Sequence, residues 1–213
     1  MKLKNTLYAC IIGGIIFLSF GCNPRSSRAY LEKRIGTEMS RVYPTERLEN
    51  LFEQFPDGFK IKQSFKDGAY IIHVELVATS KGDPIIGTIS KVENKSREKI
   101  FEANFQYQDG KYQFANETDA AYWPYRGFLF EKLTLNREIL SKLDLQEKSY
   151  NMMNGDFELR YKVTNDIINS FLELGDSDSL SVSLGGSNSN RGYYYSIMVK
   201  NDDGLLFIET VSD

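Results

Sequence analysis

The apolar positions of this chain keep one period at a time, and each change of period marks an element. An uncharged run from Leu7 to Phe20 comes first, behind Lys2 and Lys4. From about Ser26 to Val42, Leu31, Ile35, Met39 and Val42 recur at helical spacing with charges between them, which predicts an amphipathic helix. Tyr43-Pro44 ends it, because the residue before a proline is pushed out of the helical region. A second short helix is predicted from Thr45, as N-cap, through Leu48, Leu51 and Phe52. Pro56-Asp57-Gly58 is a turn.

The period then becomes two. Phe59, Ile61 and Phe65 alternate with Lys60, Lys62 and Ser64, and Lys66-Asp67-Gly68 is a hairpin signal. Strands are predicted over Ala69–Thr79, from Ile85 to about Val92, over Phe101–Tyr107 and through Tyr112 and Phe114. Turns this short force antiparallel pairing, so this half reads as a meander with one packed face. Residues 116–130 lack clean periodicity and carry Tyr122-Trp123-Pro124-Tyr125 and Phe128. Asn136 is expected to cap a helix to about Glu147, and Thr164-Asn165-Asp166 to start another through Ile168, Phe171 and Leu172. Further strands are predicted at Phe157–Val163, Leu180–Leu184, Tyr193–Val199 and Leu205–Val211, with a polar loop from Gly185 to Gly192. The expected fold class is therefore α+β, with antiparallel β-sheet meanders and a few short helices packed on one side.

The opening run is too short to span a bilayer, which needs about 20 apolar residues. It fits a secretory leader, and Ser19 and Gly21 place small residues before Cys22, as in the lipobox of bacterial lipoproteins. Cys10 also comes after a lipobox-like Leu7-Tyr-Ala, but only three apolar residues would then precede the thiol. The expected organisation is a signal peptide over 1–21, a tether over 22–29 and one domain over 30–213. The expected anchor is a diacylated, palmitate-bearing Cys22 on the outer face of the cell membrane, since two acyl chains give stable attachment.

The whole chain carries a net charge of −3, and losing the leader removes two lysines and no acid. An acidic body is unsuited to nucleic acid, whose binding rests on clustered Lys and Arg. With Cys22 acylated no disulfide framework is available, so packing alone must hold the body.

The helix, Tyr43-Pro44, Leu48-Glu49-Asn50-Leu51, the glycine turns, Tyr161-Lys162-Val163-Thr164-Asn165-Asp166 and a Gly-rich segment before a Tyr-rich strand come after the lipoprotein signal in that order. This set resembles the tandem-type lipoproteins of staphylococci over roughly residues 28–213, although those chains are lysine-rich where this one is acidic. The resemblance implies a membrane-anchored surface protein that engages a host-cell or envelope partner, with no catalytic residue to carry over.

The side chains point to no reaction. His73, the one histidine, shares a strand face with Glu75, which as an acid–base pair would still lack a nucleophile. One histidine and no free cysteine leave no zinc site. Asp176-Ser-Asp178 lacks the third ligand and glycine of a calcium loop, and Gly185-Gly186-Ser187 fits neither a nucleophile elbow nor a phosphate loop. No cofactor, metal or catalytic residue is expected, and the chain is read as a non-enzymatic interaction module. The alternative is an envelope ligand-binding protein for a sugar or cell-wall fragment, with Trp123, Tyr122 and Tyr125 as binding residues, because exposed aromatics concentrate binding energy.

Overall fold

The computed structural model describes residues 24–187 and 195–213. The leader and Cys22 lie outside the described residues, as does most of the polar loop after Gly186. Among the described residues no helix is long and apolar enough to cross a membrane.

The expected α+β class is not the one that forms. Among the described residues ten antiparallel strands make a single sheet, and the helices are short and few. A first meander comprises β1 (Phe59–Asp67), β2 (Tyr70–Ala78), β3 (Ile85–Glu93), β4 (Lys99–Gln108) and β5 (Lys111–Phe114). A second comprises β6 (Asp144–Tyr150), β7 (Asp156–Val163), β8 (Leu180–Ser187), β9 (Tyr195–Lys200) and β10 (Leu206–Ser212). The spatial order β5-β4-β3-β2-β1-β10-β9-β8-β7-β6 joins them at the centre, where Phe65 lies opposite Phe207 and Ile61 opposite Val211.

Two local differences from the sequence pattern account for the single sheet. The helix expected from Asn136 to Glu147 stops at Lys142: α2 is Arg137–Lys142, capped as expected by the Asn136 side chain on the Ile139 N–H. The chain then enters β6, because Leu145 and Tyr150 reach the packed side only when that segment pairs with β7. The segment after Tyr43-Pro44 is a 3₁₀ turn, Leu48–Glu53, and Thr45 does not cap it; the Thr45 hydroxyl donates to the Val42 carbonyl. The first helix is as expected: α1 spans Arg28–Met39 and is capped by Ser27. Asn165 likewise caps α3 (Asp166–Phe171) by accepting from the Ile167 and Ile168 N–H groups. Of the residues assigned to a tether, Pro24–Ser26 form a 3₁₀ turn and Arg28 already belongs to α1.

Strand alternation puts one set of side chains inside. Phe59, Ile61 and Phe65 of β1, Ile72, Val74 and Leu76 of β2, Leu159 and Tyr161 of β7, and Ile197 and Val199 of β9 are all buried. Residues 115–143 must carry the chain from the β5 edge to the β6 edge, and they cross this inner face as a strap. Trp123, Phe128, Leu129, Phe130, Leu133 and Leu140 of the strap are buried against the sheet, each contributing about 2 kcal/mol. Because α1 packs on α2, and Tyr161 donates to Glu32 of α1, the inner face is covered at both halves. The opposite face of the sheet is the one left to solvent.

Candidate functional site

The aromatic trio does not assemble into a binding platform. Trp123 is fully buried, 4.8 Å from the Tyr112 ring and 5.3 Å from Phe128, and its indole N–H donates to Gln63 Oε1 at 2.8 Å. It is a core residue, and no ligand can reach its ring. Apolar surroundings and a single polar tip explain the burial, since an indole enters a core readily once its N–H is satisfied.

Tyr122 and Tyr125 do share one depression of about 410 Å³ with Phe65, Lys91 and Pro124. Their ring faces are already engaged. Tyr122 stacks on Phe101 at 3.9 Å, with the Lys91 ammonium 5.8 Å from its ring. Tyr125 stacks on Phe171 at 5.2 Å and meets Phe65 and Phe207 edge-on.

Gln63 opens a buried polar network that the sequence did not advertise. Its amide donates to the Gly127 carbonyl and to Glu209, both at 3.1 Å. Glu209, fully buried on the inner face of β10, also accepts from the Tyr43 hydroxyl and from the Leu129 and Phe130 N–H groups. Burial pushes its carboxyl up to about 7 against the pull of these four donors. Glu131 of the strap accepts from the Phe128 N–H and is also pushed up to about 7 by burial. Every donor of the Glu209 cluster belongs to the sheet, the strap or Tyr43, so its geometry is that of a fastening. A buried acid in an alternating strand was the available signal: Phe207, Glu209 and Val211 share a face.

His73 lies half-buried on the outer face, with Nδ1 2.8 Å from the Ser64 hydroxyl. Desolvation first, then the Arg97 and Lys62 charges, hold its pKa below the usual histidine value. The pair looks like a base and nucleophile, but both residues sit in continuous ladders, Ser64 opposite His73 and also opposite Ile208. The flanking N–H groups are committed to those ladders, so nothing in the pair's geometry supplies an oxyanion hole. Glu75 is engaged with Lys60 at 2.7 Å. Asp176 and Asp178 lie in a turn whose carbonyls accept from Asn169, and among the described residues no trio of potential metal ligands gathers.

The outer face carries a larger opening that sequence reading missed, a groove of about 690 Å³ along β8. Its floor is low because Ser181 and Ser183 face outward between taller neighbours. Register sets the walls: Lys162–Ser181–Lys200 form one row across β7, β8 and β9, and Arg160–Ser183–Met198 the next. Arg160 is neutralised by Glu147 at 2.6 Å and Glu158 at 3.5 Å. Lys162 and Lys200 are exposed and stand one strand either side of Ser181, about 10 Å apart by strand spacing. Asn201 and Asp202 close the groove at this end. The signal was legible only with the strand order known: serines on one strand gain meaning from what their neighbours carry.

No protein-family profile matches the sequence, and no curated protein matches it. Among solved structures the chain is similar to the crystal structure of the Mycobacterium tuberculosis lipoprotein LppX. The alignment covers 86% of this chain and 93% of that one, at 8% identity and a TM-score of 0.41, a likeness too loose to carry function.

Proposed function

We propose that this chain is a lipid-anchored envelope lipoprotein, of the tandem type that its landmarks resemble, whose folded body is a non-enzymatic binding module. Acylated Cys22 would hold it on the extracellular face of the cell membrane, where the body engages a host-cell or envelope partner. The observation that carries the binding role is the groove along β8. It offers about 690 Å³ on the solvent side of the sheet, and the ammonium groups of Lys162 and Lys200 flank its hydroxyls. That chemistry suits an elongated polar ligand ending in a carboxylate or phosphate, since paired cations beside hydroxyl donors make charge-assisted hydrogen bonds.

The test compares lipidated and leader-free protein in binding to intact cells, alongside Lys162→Glu/Lys200→Glu. Saturable binding by the leader-free body, lost in the double variant, is the expected result. A body that binds nothing without its lipid would end the module reading. The sugar-binding alternative now rests on Tyr122 and Tyr125 without Trp123, and their engaged ring faces favour the groove.

A further inference from the structure

The second meander ends in an apolar tip beside the place where the anchor leaves the body. In the β6–β7 turn, Met152 and Met153 are both exposed, Met153 at 98%. The turn itself is well built: the Asn151 side chain accepts from the Met153 N–H, and the Asn154 side chain accepts from the Asp156 N–H. A hydrogen-bonded turn that holds two adjacent thioethers in water is an arrangement that packing does not explain.

The N-terminal segment is fixed to the same hairpin. The Lys148 ammonium of β6 donates to the Ser26 carbonyl at 2.7 Å, and the Arg28 guanidinium donates to the Leu143 carbonyl at 2.9 Å. Ser26 is therefore held at the outermost strand of the sheet. Cys22 is four residues away, so chain length alone keeps it within about 14 Å of that point. Met153 lies five residues beyond Lys148, three of them past the end of β6, so chain length keeps it within about 17 Å of Lys148. Acyl chains entering a bilayer from Cys22 bring this edge of the sheet down to the lipid surface.

We propose that the β6–β7 tip is a membrane-docking element, with Met152 and Met153 entering the interfacial layer of the bilayer beside the acyl chains. Methionine suits the task, because its flexible, polarisable side chain adapts to a disordered apolar medium. This rests on the acylation of Cys22. It also fixes the orientation of the body. Lys162 and Lys200 lie at the opposite ends of their strands from this tip, so the lysine pair of the groove stands at the end farther from the membrane.

The test uses full lipidated protein in phosphatidylcholine–phosphatidylglycerol vesicles. Met153→Cys and Asp202→Cys each introduce a single free thiol, since the leader carries away Cys10 and the lipid occupies Cys22. Each is labelled with a polarity-sensitive fluorophore. The label at 153 is expected to emit at shorter wavelength and to be quenched by spin-labelled lipids, and the label at 202 to do neither. Vesicle-bound protein with both labels in water, or with both shielded, would overturn the docking. Protein that fails to stay on vesicles, with an unmodified Cys22 peptide by mass, would overturn the acylation reading and the docking with it.

Discussion

Glu209 shows how much one side chain can decide in this fold. Its two oxygens each accept two hydrogen bonds, and the donors come from β1, from Tyr43 and from the strap. Glu209→Gln replaces one oxygen with a donor. The Tyr43 hydroxyl can turn to accept, but a backbone N–H cannot, so one buried donor loses its partner. At pH 5 the parent carboxyl is protonated, but its hydroxyl oxygen still accepts an N–H where an amide nitrogen cannot. The variant should therefore be less stable by about 1–3 kcal/mol, read from urea midpoints. The pH dependence has its origin in the same burial. Folded carboxyl values near 7 for Glu131 and Glu209 lie above the ordinary 4.5. Between those limits the folded protein keeps protons that the unfolded chain releases, so stability falls as pH rises from about 4.5 to 7 and levels off above. Each group contributes about 3 kcal/mol to that fall. In Glu209→Gln roughly half of the slope should vanish, and the gap to the parent protein should narrow toward pH 8. A parent protein equally stable at pH 5 and pH 8 would refute both carboxyl assignments.

Among the elements, β3 and β4 meet at a contact that allows only glycine. A Cβ at Gly87 would lie 2.3 Å from the Phe105 ring, which is its cross-strand partner and stands 5.4 Å from Trp123. Gly87→Ala should push that ring and cost about 1–3 kcal/mol by overpacking. Trp123 is the sole tryptophan, so a change in its emission reports the displacement directly. This pairing illustrates what the sequence could and could not show. Alternation located nine of the ten strands among the described residues, because burial on one side is written in period two. It could not locate β6, whose charged Asp144–Lys148 reads as a helix continuation until β7 supplies a partner. Nor could it make one sheet of two meanders, since the Phe65–Phe207 pairing joins positions far apart in the chain. For the same reason the burial of Trp123 is not settled by its own segment. Its burial depends on Gln63, sixty residues earlier, offering an acceptor under the strap.

At the scale of the whole molecule, the two meanders are not independent units despite a chain order that keeps them apart. The last strand, β10, is central and pairs with β1 of the first meander and β9 of its own. The strap leaves one edge and enters at the other, and Glu209 fastens its middle to the seam between the halves. Neither half can therefore open without breaking the β1–β10 ladder, the Trp123–Gln63–Glu209 chain of hydrogen bonds and the packing of Tyr125 on Phe171 and Phe207. Those interactions leave no boundary at which a partly folded species would keep its own core. Unfolding of the leader-free protein in urea should accordingly be a single cooperative transition. Trp123 emission reports the first meander and its strap, whereas far-UV circular dichroism weights both meanders, so the two curves should coincide in midpoint and slope. An earlier loss of circular dichroism than of tryptophan signal would mean that β6–β9 come away first, leaving β1–β5 and the strap folded. That outcome would show the seam to be weaker than the four donors around Glu209 require.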